Sequence, residues 1–402
     1  MHAAMPSFSL GNLGRAPHRL MFFVGGTNLL LAMAWWALWL GAARWGIVPM
    51  PQPEPYAGRL HAFLMQYQVL PSFFFGFLLT VFPRWTGEPD LDRRTAWPVG
   101  AGLLGGQILT LAGAMGWWPA LVAGAAATLI GWIMGLAPLA GVAIRDRGKT
   151  LHAAGCFGAL CLGVVGLVLW LAYLLTGNEA LGDAAMRIGT FGLLAPVYFT
   201  VAHRMIPFFS AGALPGYQPW RPAWVLVTGW ALLALRIVLP SGVLWLADLP
   251  LFLLTLLMLA RWFPRQSMPP LLLVLHAGLA WLPVAFALFT VQDAAMFFYG
   301  TAILGKAPAH ALFIGFFGSI LVAMVTRVTQ GHSGRPLVLP PVAAYAFVAI
   351  QFVCIARIAG ELMDDWLGWQ AVAAAGWLVA FLPWVIWAGR IYASPRVDGK
   401  AG

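Results

Sequence analysis

The chain is built from long apolar runs. About 20 consecutive apolar residues are enough to cross the hydrocarbon of a bilayer as a helix. Twelve such runs are read, at residues 20–43, 62–83, 98–117, 119–144, 151–175, 187–209, 222–239, 244–262, 270–291, 301–326, 338–359 and 369–392. In lipid every backbone polar group must be satisfied within the protein, and a helix does this within one segment. The expected fold class is therefore all-α: a polytopic membrane protein, a bundle of about 12 transmembrane helices. Residues 1–402 form a single integral membrane domain, with tails at 1–19 and 393–402. The polar N-terminus lacks a small-residue cleavage site after a short apolar core, so 20–43 reads as a first span and not a signal peptide.

Composition and charge agree. The chain is 61% hydrophobic and 9% charged, whereas soluble domains are roughly 45–50% apolar and about 25% charged. The net charge of +10 fits the Lys and Arg bias of cytoplasmic loops. No basic run of nucleic-acid type occurs, so no nucleic-acid partner is expected. Alternating the spans places seventeen of the 23 basic residues on the side of the termini and six on the other. The positive-inside rule then makes both termini cytoplasmic. All 13 acids are expected in loops or at span ends, because an unpaired ion in hydrocarbon is costly. No internal repeat is visible. The three cysteines, Cys156, Cys161 and Cys354, form no CxxC or zinc pattern and read as small hydrophobes.

Histidine is the informative residue among the eight present. His2 and His18 fall in the N-terminal tail and are expected to be solvated, and His152 opens the fifth span. His61 opens the second span, with Met65 one turn on and on the same face. His310 lies early in the tenth span, at the same depth. Two imidazoles on two helices could ligate a haem iron axially, and imidazole is also a copper ligand. Each could instead cap its helix or bond a carbonyl. His276 sits about a turn and a half inside the ninth span and needs a metal or a polar partner.

Two basic motifs accompany these histidines. Arg204, in His203-Arg204-Met205-Ile206-Pro207-Phe208-Phe209, could meet a propionate, a lipid phosphate or helix-end carbonyls. The string Thr326 to Pro336 carries Arg327, His332 and Arg335 and is expected as a tight inter-helix loop able to clamp carboxylates or another anion. No nucleophile–base pair, HExxH motif or paired intramembrane carboxylate is present, which argues against a hydrolase or a proton-coupled pump.

At these residues the chain resembles the NnrS family of bacterial membrane proteins. Met324-Val325-Thr326-Arg327 through Gly331-His332-Ser333-Gly334-Arg335-Pro336-Leu337 is similar to the family string MTRV…GHTGRPL, with Ser333 at the usual Thr. His310-Ala311-Leu312, Leu275-His276 to Trp281-Leu282, Arg204 to Phe209, and Gly76 to Thr80 with Pro83 and Trp85-Thr86-Gly87 match further motifs in order. The resemblance implies about twelve spans, bound haem and copper, and a role in the bacterial response to nitric oxide, often beside denitrification. The family's second span usually opens HxHEM. Here His61 and Met65 remain, but Phe63 and Leu64 stand at the second His and the Glu, which removes a ligand from any metal bound there.

The leading expectation is an inner-membrane haem and copper protein in nitric oxide metabolism or resistance to nitrosative stress. Membrane lipid, nitric oxide or another small diatomic ligand, and a respiratory electron donor are its expected partners. His61 and His310 would hold the iron; His276 and His332 would serve a second site or a polar network; Arg204, Arg327 and Arg335 would be cofactor clamps. Copper ligands would come from His61, Met65, His310 and His276. Reduction, sequestration and sensing stay open. A multi-pass transporter of a small solute is the alternative, and a scaffold for respiratory-complex maturation a third reading.

Overall fold

A computed structural model of the chain describes residues 9–399. The twelve apolar runs become twelve helical rods: α1 (Pro17–Trp45), α2 (Ala57–Thr86), α3 (Ala96–Ala114), α4 (Trp118–Asp146), α5 (Leu151–Thr176), α6 (Glu179–Ala213), α7 (Ala223–Val238), α8 (Trp245–Trp262), α9 (Pro270–Tyr299), α10 (Ala307–Ser333), α11 (Pro341–Gly360) and α12 (Trp366–Tyr392). No strand occurs among the described residues. Ten rods are long and apolar enough to cross a membrane, and α3 and α7 fall outside that measure. The protein is an all-α, multi-pass membrane protein.

Several ends differ from the sequence expectation; α2 begins at Ala57 and α9 runs on to Tyr299. α6 begins eight residues early, because Asn178 caps it and the carboxylates of Glu179 and Asp183 pair with Arg59 of α2. Hydropathy is blind to such a paired polar turn. α10 starts later, behind Lys306, with proline in its first turn, and runs on to Ser333. Its C-terminus is set by Gly334, whose φ of 74° is a left-handed conformation open to glycine. His332 is therefore in the last helical turn and not in a loop.

The rods form two layers. α2, α6 and α10 have 89%, 72% and 83% of their apolar windows buried, while no other candidate span exceeds 67%. These three are the inner helices, and each contains one π-helical segment: Leu64–Val69, Gly189–Leu194 and Ala311–Gly318. A π turn disturbs the regular backbone ladder and is often found at functional sites. Around the first, side chains from neighbouring rods take up the backbone groups. Trp132 Nε1 donates to the Tyr67 carbonyl at 3.0 Å. The Gln68 carbonyl accepts from Ser72 Oγ at 2.7 Å and from Asn28 Nδ2 at 3.4 Å. The Gln68 amide in turn donates to Thr110 and Thr128. Gln66 Nε2 donates to Thr190 Oγ1 at 3.0 Å, tying the first π segment to the second. Tyr198 of α6 stacks on Phe317 of the third, with ring centroids 4.4 Å apart.

A repeat absent from the sequence emerges in the packing. α4 packs on α5, α8 on α9, and α12 on α1, so the chain closes as a ring of three four-helix units, α1–α4, α5–α8 and α9–α12. In each unit the first rod packs along the second, and the third along the fourth. The second rod of each unit is the π-bulged inner one.

Charges follow the same economy. Asp293 lies two turns inside α9, and Asp248 opens α8 yet is fully buried, so these acids are less peripheral than expected. Both bind Arg236 of α7, whose guanidinium lies over Phe191 and Phe289 at 4.3 and 4.1 Å. On that same face, away from the termini, Arg44 pairs with Asp365 and Arg357 with Glu361. Four of the six basic residues assigned to that face are thus matched by acids.

α3 and α4 approach most closely through glycine. A Cβ at Gly102 would lie 2.5 Å from Gly131 Cα, against backbone that cannot yield, whereas one at Gly105 meets open space. Gly102→Ala is expected to lower thermal stability by about 1–3 kcal/mol, the usual cost of overpacking, and Gly105→Ala to leave it unchanged. Thermal melts of the two purified variants check this.

Candidate functional site

Seven histidines lie among the described residues, all but His203 within two turns of a helix end. On the face away from the termini, α2 brings His61 and α10 brings His310 within electrostatic range of each other, and Arg357 of α11 within range of both. His61 stacks on Trp36 with centroids 4.6 Å apart and planes 7° from parallel, and Trp36 stacks on Trp39. Its Nδ1 is buried with no hydrogen-bond partner. His310 Nδ1 lies 2.9 Å from the Lys306 carbonyl. A carbonyl only accepts, so Nδ1 carries the proton and the Nε2 lone pair is left free, the usual arrangement behind a metal-bound imidazole. Met65 follows His61 by four positions inside the π segment and is buried.

The other end of the bundle carries a second tier. His18 is not solvated: it occupies the first turn of α1, is 4% exposed, and its Nδ1 has no partner. Its ring lies 4.5 Å from that of His332. Arg19, Arg84 and Arg396 surround the pair electrostatically. Nearby Asp90 stays ionised, held below the usual carboxylate range by its hydrogen bonds to Arg84. The sequence reading missed this partner for His332. Pro17, a residue suited to the first helical turn, was the available signal that the helix starts before His18.

Two more pairs complete the tier. His203 Nε2 lies 3.3 Å from the Pro222 carbonyl and so is protonated; its Nδ1 then accepts from His152 Nε2 at 3.0 Å. Ser210 Oγ donates to the Ile206 carbonyl, so it accepts from His276 Nε2 at 3.1 Å. That leaves the His276 Nδ1 lone pair buried without a partner.

The geometry sorts the expected site residues into groups. His61 and His310 share the far end, within electrostatic range of each other. His276 and His332 sit at the opposite end; His310 and His332 alone are separated by 22 positions of one helix, about 33 Å at about 1.5 Å per residue. Arg204 lies over Trp85 at 4.7 Å, and Arg327 over Phe209 at 4.1 Å. Arg335 borders an open groove of about 300 Å³ beside Arg390 and Trp387. None of these three arginines is at the His61–His310 end. Among the described residues, no three His, Cys, Asp or Glu side chains gather as a metal-holding group.

The sequence pattern of the family described as NnrS protein matches residues 12–396, nearly the whole chain. The chain belongs to the NnrS family. No curated protein matches it. Set against that membership, the NnrS strings fall at both ends of the inner helices: His310-Ala311-Leu312 opens the third π segment, while Gly331 to Pro336 ends the same rod.

Ser210→Ala is expected to cost about 1–3 kcal/mol, because it strands the buried His276 Nε2–H. Ser210→Thr, which keeps the hydroxyl, should lose less. Unfolding of both variants in detergent measures the difference.

Proposed function

We propose that this protein is a haem-binding member of the NnrS family, seated in the bacterial inner membrane, that handles nitric oxide or protects against nitrosative stress. The observation that carries the reading is that His61 and His310 lie within electrostatic range of each other, with the His310 tautomer set by the Lys306 carbonyl. The donor chemistry fits haem: the Nε2 of His310 is a free lone pair and the buried Nδ1 of His61 has no protein partner, and these two imidazoles would hold a haem iron. Family membership supports the link to nitric oxide. When bound, haem would supply an iron able to take a diatomic ligand or an electron.

The chain's own residues do the positioning. Trp36 fixes the plane of the His61 ring, and the Lys306 carbonyl fixes the proton of His310. Arg357, paired with Glu361, is the arginine whose charge acts on both histidines and the best placed to meet a carboxylate. That part was expected of Arg204, Arg327 and Arg335, which lie too far away. The copper set of His61, Met65, His310 and His276 is not brought together, since His276 bonds Ser210 at the other end.

The reading also takes residues 1–402 as one membrane domain crossing twelve times. Both termini are placed in the cytoplasm, because acids match most bases on the far face while the terminal face keeps its excess of arginine. A respiratory protein is the proposed electron donor.

His310→Ala and His61→Ala are each expected to abolish the haem absorption band of the purified protein, or to shift it by removing an imidazole that would hold the haem, while His332→Ala leaves it in place. Haem content and the Soret spectrum of the three variants decide. Full haem with an unchanged band in His310→Ala would remove the assignment, and loss confined to His332→Ala would move the site to the terminal face.

A further inference from the structure

The three inner helices line a half-open hollow that the histidine tiers do not use. It has a volume of about 60 Å³ and is walled by Phe73 and Phe77 of α2, Val197 and Val201 of α6, and Ile320 and Met324 of α10. The one polar side chain on its wall is Tyr198. A buried water needs about two to four polar partners, and a single phenol cannot supply them. Apolar cavities of about 150 Å³ stay dry and take benzene or xenon. A hollow less than half that size suits a guest of two or three heavy atoms.

A second hollow of about 40 Å³ adjoins it, sharing Phe22, Phe73 and Val325 as common wall. It runs out between α1 and α12, where Thr27, Val385 and Gly389 are partly exposed on the side of the bundle. That side faces lipid in a multi-pass protein, and small apolar gases partition into lipid. Along α10 the central hollow lies between the tiers, with Ile320 ten positions after His310 and Met324 eight before His332.

We propose that the two hollows are one tract that binds a small, uncharged, apolar gas molecule, admitted from the bilayer between α1 and α12 past Phe22, Phe73 and Val325. That the gas is nitric oxide rests on the proposed function; the tract itself rests on its lining.

Xenon is the probe. Crystals of the full-length protein under xenon pressure are expected to show xenon in the central hollow, and Val201→Phe, which fills that hollow alone, should lose it while keeping xenon in the outer one. Val325→Phe, at the shared wall, should reduce both. Ordered water in the central hollow of the wild-type protein, or no xenon there, overturns the proposal, as does undiminished central xenon in Val201→Phe. If the variants fail to assemble, the wild-type result decides alone. Xenon bound in a protein without haem would uphold the tract and sink the haem reading; haem bound without xenon would do the reverse.

Discussion

The structure depends on one constraint: a membrane helix that departs from α geometry must find partners for its freed backbone groups inside the protein. α2 departs at Leu64–Val69, and the answer is written in side chains of three other rods. Trp132 of α4 takes the Tyr67 carbonyl, Asn28 of α1 takes that of Gln68, and Thr110 and Thr128 of α3 and α4 hold the Gln68 amide. These bonds tie the outer rods to the inner one. They also fix where the helix emerges, and His61 lies just before the bulge. His310 stands in the same relation to the bulge of α10. The placement of both imidazoles at this end thus follows from where the helices are broken.

Pairing logic extends to the ions. Arg236 joins Asp248 and Asp293 where three rods of the outer layer meet, between two phenylalanine faces. Leaving any of these ions alone in a dry site would cost several kcal/mol, so the triad is a lock on α7, α8 and α9. It does not by itself favour solute transport, because both acids are already engaged by the arginine.

Much of this was legible in the sequence, and the misses have physical causes. Twelve apolar runs gave twelve rods, since hydropathy marks apolar helices whether they face lipid or, like α2, α6 and α10, the bundle interior. The start of α6 was hidden because Glu179 and Asp183 look like loop residues until Arg59 is beside them. His18 looked solvated because the polar tail around it outweighs Pro17, the sign that α1 begins there. Gly331 and Gly334 read as a loop around His332, yet Gly334 alone needs left-handed backbone. The threefold arrangement left no trace in residue identity, because packing constrains size and polarity at each contact and not the side chain itself. Which histidines meet was open for the same reason: His61 and His310 shared a depth in the sequence, but His18 with His332 required the rotation of each rod.

The central claim is that imidazole lone pairs left free at the His61–His310 end hold an iron. Electron paramagnetic resonance of the oxidised, purified wild-type protein tests it most directly. The account predicts a low-spin ferric haem signal of the kind given by two axial nitrogen ligands. A protein with no ferric haem signal, or one whose iron carries a sulfur axial ligand, would contradict it.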